Sequence, residues 1–158
     1  EMAAGVGTVL TPDQVREVKE AGATFAVAPG LHRRVIEEAA EAELLFVPGV
    51  STPSDIEAAL EYGCRLMKFF PAEPSGGLPY LRNMAAPYRH LGLRFIPLGG
   101  INERNLGAYL ASPLVCAVGG SWLAPRESIR RGDWAMICAR ARTATTIVSQ
   151  VTKGKSAP

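Results

Sequence analysis

Lys68 is the residue whose type and setting carry the most chemistry. It stands in Cys64-Arg65-Leu66-Met67-Lys68-Phe69-Phe70-Pro71, near the end of a largely apolar run, and is one of four lysines, with Lys19, Lys153 and Lys155. Desolvation disfavours an ammonium ion, so an amine held there has its pKa pushed down and its neutral form is available to attack a carbonyl. The competing reading is a strand-end lysine that lays its stem along apolar surface and extends its head to water. Two glycine pairs form the second feature: Gly99-Gly100, and Gly119-Gly120 followed by Ser121. Backbone N–H groups left unshielded at such turns, ahead of a helix N-terminus, make a concavity for phosphate; taken singly, each pair is equally a plain turn. In Gly5-Val6-Gly7-Thr8 the hydroxyl of Thr8 could meet a carboxylate or carbonyl, although a β-branched residue in a strand needs no functional account.

The remaining polar residues carry less. His32 and His90 have no nearby Ser or Cys that would complete a triad, and read as surface residues. Glu73 follows the Lys68 run and reads as a solvated loop carboxylate near the site. Arg126, Arg130 and Arg131 either steer an anion or form a solvated basic face. There is no Walker A loop and no spacing of metal ligands, so no cofactor is expected.

These residues are positioned by a repeated pattern of a short apolar run, a Gly- or Pro-rich turn and an amphipathic helix, as parallel strands with crossover helices produce. Strands are expected at 5–10, 24–28, 44–48, 65–70, 94–98 and 114–118. Helices are expected to open at Thr11-Pro12-Asp13, near Arg33, at 51–55, near Leu78, at Asn102 or Glu103, and at Asp133. In the second, Val35, Ile36 and Ala39 share one face, and in the last Trp134, Ile137, Ala141, Val148 and Val151 recur at helical spacing. The pattern predicts one α/β domain over residues 1–152 and a frayed tail over 153–158. Strands without strict alternation are buried on both faces, as in a (β/α) TIM barrel or a doubly wound sheet. Pro and Gly standing regularly at the strand ends favour the barrel, whose active sites lie at the C-terminal ends of its strands.

Composition narrows the class. With 47% hydrophobic and 20% charged residues the chain can bury a core, and a net charge of +2 gives no broad cationic field for nucleic acid. No apolar run approaches the roughly 20 residues of a membrane span. Cys64, Cys116 and Cys138 form no CxxC motif and read as reduced packing residues of a cytoplasmic protein.

Six segments then match a known family in order: Gly5-Val6-Gly7-Thr8-Val9-Leu10, Ala28-Pro29-Gly30-Leu31, Val47-Pro48-Gly49-Val50-Ser51-Thr52, Met67-Lys68-Phe69-Phe70-Pro71-Ala72-Glu73, Pro97-Leu98-Gly99-Gly100-Ile101 and Val118-Gly119-Gly120-Ser121-Trp122-Leu123. The chain resembles the 2-keto-3-deoxy-6-phosphogluconate (KDPG) aldolase family, which also includes 4-hydroxy-2-oxoglutarate (KHG) aldolases. The likeness implies a metal-free class I aldolase, trimeric in most relatives, that cleaves a phosphorylated 2-keto-3-deoxy sugar acid to pyruvate and glyceraldehyde 3-phosphate. It makes Lys68 the Schiff-base lysine and Thr8 the holder of the pyruvyl carboxylate. Pro29 and Phe70 become the wall around the imine, and Gly99, Gly100, Gly119, Gly120 and Ser121 the phosphate pocket.

Two departures accompany the likeness. The family's proton-transferring Glu on its second strand, and an Arg just after it, have no counterpart, so the chain is expected to carry the third to eighth of eight βα units, with open sheet edges paired by another chain, by domain swapping, or not satisfactorily at all. Leu98 stands where relatives often carry Thr beside the sugar hydroxyls, which leaves the acceptor aldehyde open between KDPG and KHG types. The alternatives are a phosphosugar-binding protein without turnover and a phosphate-binding barrel isomerase that has no use for an imine lysine.

Overall fold

The computed structural model describes residues 3–155, and its local elements follow from the pattern of capping residues and apolar runs. Strand β1 (Gly5–Gly7) leads to helix α1 (Pro12–Glu20), β2 (Phe25–Val27) to α2 (Arg33–Glu41), and β3 (Leu45–Val47) passes through Pro48 into β4 (Gly49–Val50) before α3 (Pro53–Glu61). After β5 (Leu66–Phe69) come α4 (Gly77–Ala85) and a 3₁₀ turn (Ala86–Leu91). Strand β6 (Arg94–Pro97) precedes α5 (Glu103–Ala111), a short α6 (Arg126–Arg130) and a long α7 (Trp134–Lys155).

The helix starts are where side-chain chemistry puts them. Thr11 accepts from the backbone N–H of Gln14 while the Gln14 amide oxygen accepts from that of Thr11. Thr52 and Asp55 repeat this reciprocal box, and Pro12 and Pro53 occupy positions whose N–H would have no partner in any case. Asn102 and Asn105 build a third box at α5. On α2, Val35, Ile36 and Ala39 are buried as their spacing predicts.

All strand pairs are parallel and neighbours follow chain order, β1-β2-β3 in one sheet and β4-β5-β6 in the other. The segment 45–50 joins the two: Ala28 N–H donates to Val47 O at 3.3 Å and Gly49 N–H to Gly30 O at 3.0 Å on one side, and Lys68 N–H donates to Pro48 O at 2.8 Å on the other. Two apolar clusters lie under the strands, one around Val15, Ala26, Val35 and Phe46, the other around Ile56, Met67, Phe69, Leu81, Phe95 and Tyr109. Each large side chain so buried contributes about 1.5–3 kcal/mol relative to exposure.

Three expectations need correction. Six strands in one continuous sheet are not seen: the described strands form two three-stranded parallel sheets that meet along 45–50, and the expected strand 114–118 is reduced to an isolated bridge between Phe95 and Val115. The segment still runs beside β6, with Gly119 N–H donating to Pro97 O at 3.2 Å, but the ladder between Cys116 and Gly119 is interrupted and no continuous strand forms. Along α7 the apolar spacing does not translate into burial, with Trp134 60% and Val148 42% exposed. That helix is instead anchored by the Arg140 guanidinium, which donates to Trp122 O at 2.5 Å, and by close approach of Ile147 to Gly107 of α5. The tail also differs, since α7 continues through Lys155; residues 156–158 of the expected frayed tail lie outside the described residues.

Candidate active site

Parallel strands with helices returning behind them put every strand's C-terminal end on one side, so the residues 8, 29, 48–51, 70–73, 98–101 and 118–121 share one rim. Lys68, third residue of β5, sits just inside it. Its Cα partners are Gly49 on one side and Ile96 on the other. The side chain is only 7% exposed and its Nζ lies 4.7 Å from the centroid of the Phe70 ring. Burial pushes the Lys68 pKa below the ordinary lysine value, which raises the share of nucleophilic amine near neutral pH. No hydrogen bond or ion pair of Nζ to another described residue offsets that desolvation.

The wall around Lys68 is built by close backbone approach. A Cβ on Gly49 would stand 2.1 Å from the carbonyl carbon and oxygen of Pro29, so glycine is what lets the Pro29 peptide press against the strand beside Lys68. Phe70 leads into Pro71, and a Cβ on Gly99 would meet Pro71 Cα at 3.1 Å and Phe70 Cε2 at 3.3 Å. Pro29, Phe70 and Gly99 thus surround the Lys68 strand end. Thr8, following β1, is exposed and makes no hydrogen bond with Lys68.

The glycine pairs form a second part of the rim. Gly99 and Gly100 have φ of 95° and 83°, a region L side chains rarely adopt. The Gly100 carbonyl accepts from Asn102 Nδ2 and Asn105 Nδ2, both at 3.1 Å, which fixes the loop on the start of α5. Gly119 packs its Cα against Leu98, whose Cδ2 would lie 2.9 Å from an added Cβ, and Gly120 lies against Trp122 and Ile101 O. Among the described residues the backbone N–H groups of Gly100, Ile101, Gly120 and Ser121 donate to no protein group. Of these, Gly100, Ile101 and Ser121 border an open cavity of ≈ 560 Å³ lined also by Asn102 and Arg126. Unpartnered N–H groups beside a guanidinium suit an anion.

The sequence of residues 1–140 matches the family described as "KDPG and KHG aldolase". The chain belongs to that family. It is 43% identical over 144 residues to the KHG/KDPG aldolase of Escherichia coli K12, covering 91% of this chain and 67% of that protein. Among solved structures it is similar to the KDPG aldolase of Legionella pneumophila with pyruvate captured as a covalent carbinolamine (TM-score 0.79, 36% identity, 93% of this chain and 66% of that one). It is also similar to the Zymomonas mobilis enzyme with 3-phosphoglycerate (TM-score 0.80, 39% identity, 90% and 65%). The chain spans about two thirds of the length of these relatives.

Within this aldolase-family chain the structure adds what spacing did not show. Glu73, expected as a free loop carboxylate, accepts a hydrogen bond from Tyr109 Oη at 2.5 Å, and its Cβ and Cγ fill the space beside Gly100. Its own N–H donates to Gly99 O at 3.0 Å. Glu73 therefore ties the loop after β5 to the loop after β6. Tyr109 is 1% exposed, and burial with the Glu73 carboxylate raises its pKa, so it remains a donor. The sequence signal was a Tyr on the apolar face of α5, legible only once the helix is known to pack over the Glu73 loop. The cysteines also differ from expectation: all three are free, but only Cys64 is partly buried, with Cys116 and Cys138 exposed. His32 and His90 are exposed, as expected. No described helix is long and apolar enough to cross a membrane.

Proposed function

We propose that the chain performs the class I aldolase reaction, with Lys68 as the nucleophile. The observation that carries this is a desolvated lysine on a parallel strand, its Nζ 4.7 Å from the Phe70 ring, beside a rim of unpartnered backbone donors. The neutral amine adds to the C2 carbonyl of a 2-keto acid to give a carbinolamine, which loses water to form a protonated imine. Breaking C3–C4 sends its electron pair into the imine to give an enamine, water takes the C4 hydroxyl proton as the C4 fragment leaves as an aldehyde, and protonation of C3 from water followed by hydrolysis of the imine returns pyruvate and Lys68. Apolar Phe70 and Pro29 desolvate the amine and so lower its pKa; Gly99, Gly100, Gly119, Gly120 and Ser121 hold the substrate phosphate; Thr8 holds the carboxylate.

The substrate we assign is KDPG, giving pyruvate and glyceraldehyde 3-phosphate, with 4-hydroxy-2-oxoglutarate, giving pyruvate and glyoxylate, as a second substrate. Support comes from the relatives' chemistry and the anion-suited cavity. Leu98, packed against Gly119, offers no hydrogen bond to a distal sugar hydroxyl, so comparing turnover of the two substrates decides the acceptor. The arrangement fits a (β/α) barrel of which these strands form consecutive units over residues 1–152, acting in the cytoplasm as a homotrimer. Exposed Val6, Leu10 and Leu45 along the first sheet support an assembly that covers them. Incubation with pyruvate and borohydride tests the central claim: a reduced pyruvyl adduct on Lys68 is expected, and an adduct that persists in Lys68→Ala overturns it.

A further inference from the structure

A cavity unrelated to the rim lies at the opposite end of the strands. It measures ≈ 630 Å³ and is lined by Arg82 from α4, Arg89 from the 3₁₀ turn, Arg94 at the start of β6, and Ser112 and Leu114 beyond α5, over a floor that includes Leu93. Arg94 and Gly99 are five residues apart, so at roughly 3.3 Å per residue this cavity is about 16 Å from the rim. Its volume lies within the usual range of small-molecule sites, roughly 300–1,000 Å³.

Arg82, Arg89 and Arg94, all exposed, line this one cavity, and none pairs with a carboxylate among the described residues. Arg94 Nη2 is steered by Val115 O at 3.4 Å, which leaves the rest of its donor fork unused. No carboxylate is among the lining residues; Glu57 accepts from the hydroxyl of Tyr88, which does line the cavity, at 2.8 Å. The backbone N–H of buried Leu93 also donates to no protein group among the described residues. Cations of one sign lining a cavity with an apolar wall raise its potential for an anion.

We infer that this cavity is a second anion site, for a small phosphate-bearing molecule whose apolar or planar body rests on Leu93 and Leu114 while Arg82, Arg89 and Arg94 grip the phosphate. Planar forked donors match phosphate oxygens, and the apolar floor adds affinity that inorganic phosphate lacks. The site stands apart from Lys68 and does not rest on the proposed catalytic role.

Titration calorimetry of the 158-residue chain at low salt with AMP, adenosine and inorganic phosphate tests it. AMP is expected to bind saturably and more tightly than either component. Arg94→Gln and Arg82→Gln each weaken it about tenfold or more, the loss expected for a charge-assisted hydrogen bond, while Arg82→Lys, which keeps the charge and reports on folding, weakens it less. Ser121→Asp, which sets a carboxylate in the rim cavity, leaves AMP binding unchanged. Absence of saturable AMP binding, indifference to both arginine variants, or loss in Ser121→Asp overturns the proposal. Adenosine binding as tightly as AMP overturns the anion assignment, and phosphate binding as tightly overturns the role of the floor.

Discussion

Replacing Lys68 by methionine separates what this side chain does for chemistry from what it costs the fold. Lys68 is 7% exposed and has no charged partner to offset its desolvation. Its pKa in the folded chain lies below the unfolded value of roughly 10.4. Between those two values the unfolded chain binds more protons, so stability rises with pH across that interval; below the folded pKa the full penalty for a desolvated ammonium is present. Methionine matches the stem and carries no charge. Exchanging a buried charged group for an apolar one of similar volume typically stabilises by about 1–4 kcal/mol. At about 2–4 °C per kcal/mol for a chain of this size, Lys68→Met raises Tm by about 2–16 °C at pH 7, and by less at pH 10, where the wild-type chain has recovered part of the penalty because the Lys68 pKa is lowered. Thermal unfolding by circular dichroism at both pH values measures this, and mass spectrometry after pyruvate and borohydride measures the adduct. Activity disappears while stability increases. A Tm that falls at pH 7, or a gain that is equal at the two pH values, refutes the desolvated-amine reasoning even if the adduct is lost.

Other perturbations read other parts of the rim. Gly49→Ala sets a Cβ 2.1 Å from the Pro29 carbonyl, a backbone atom that cannot rotate away, and is expected to destabilise by about 3 kcal/mol or more. Gly63→Ala has φ of 72° but nothing near its Cβ, and costs about 1 kcal/mol; denaturant midpoints rank the two. Tyr109→Phe removes the donor to Glu73 and lowers stability by about 1.5–3 kcal/mol at neutral pH, measured in urea. Because the folded-state pKa of Tyr109 is raised, its contribution is present below the unfolded value of roughly 10 and lost as pH climbs through the folded one, so the variant shows a flatter alkaline limb. Thiol alkylation should modify exposed Cys116 and Cys138 before Cys64, whose burial raises its pKa; equal rates at all three would contradict that placement.

The sequence was most legible where one residue type does one local job. Thr11, Thr52 and Asn102 announced their helices because an N-cap oxygen needs only the next turn of backbone. Lys68 stood out because an amine inside Leu66-Met67-Lys68-Phe69-Phe70 conflicts with the run around it, and such conflicts mark function. The apolar run 114–118 failed as a strand because pairing depends on a neighbour's register, and only Val115 finds one on Phe95. The spacing along α7 misled for a related reason: periodicity states which residues share a face, but not what covers that face. Tyr109 and Glu73 are 36 residues apart, and no local rule connects them.

Those two residues also suggest why the rim can be both open and exact in shape. The loop after β6 must expose the N–H groups of Gly100 and Ile101, so it cannot use them to hold itself in place. Its carbonyls do so instead: Gly99 O accepts from the Glu73 backbone and Gly100 O from two asparagine side chains. Glu73, in turn, is fixed by a buried tyrosine on the helix that the same asparagines cap. Donors are thereby left free for a ligand while acceptors carry the support, and the helix behind the loop supplies both its start and its anchor. An Asn105→Ala substitution, which keeps every donor of the rim but removes one support of Gly100 and half of the α5 box, should therefore raise KM for a phosphorylated substrate while leaving borohydride trapping of unphosphorylated pyruvate at Lys68 intact. Loss of trapping in that variant would mean that the two halves of the rim are not held independently.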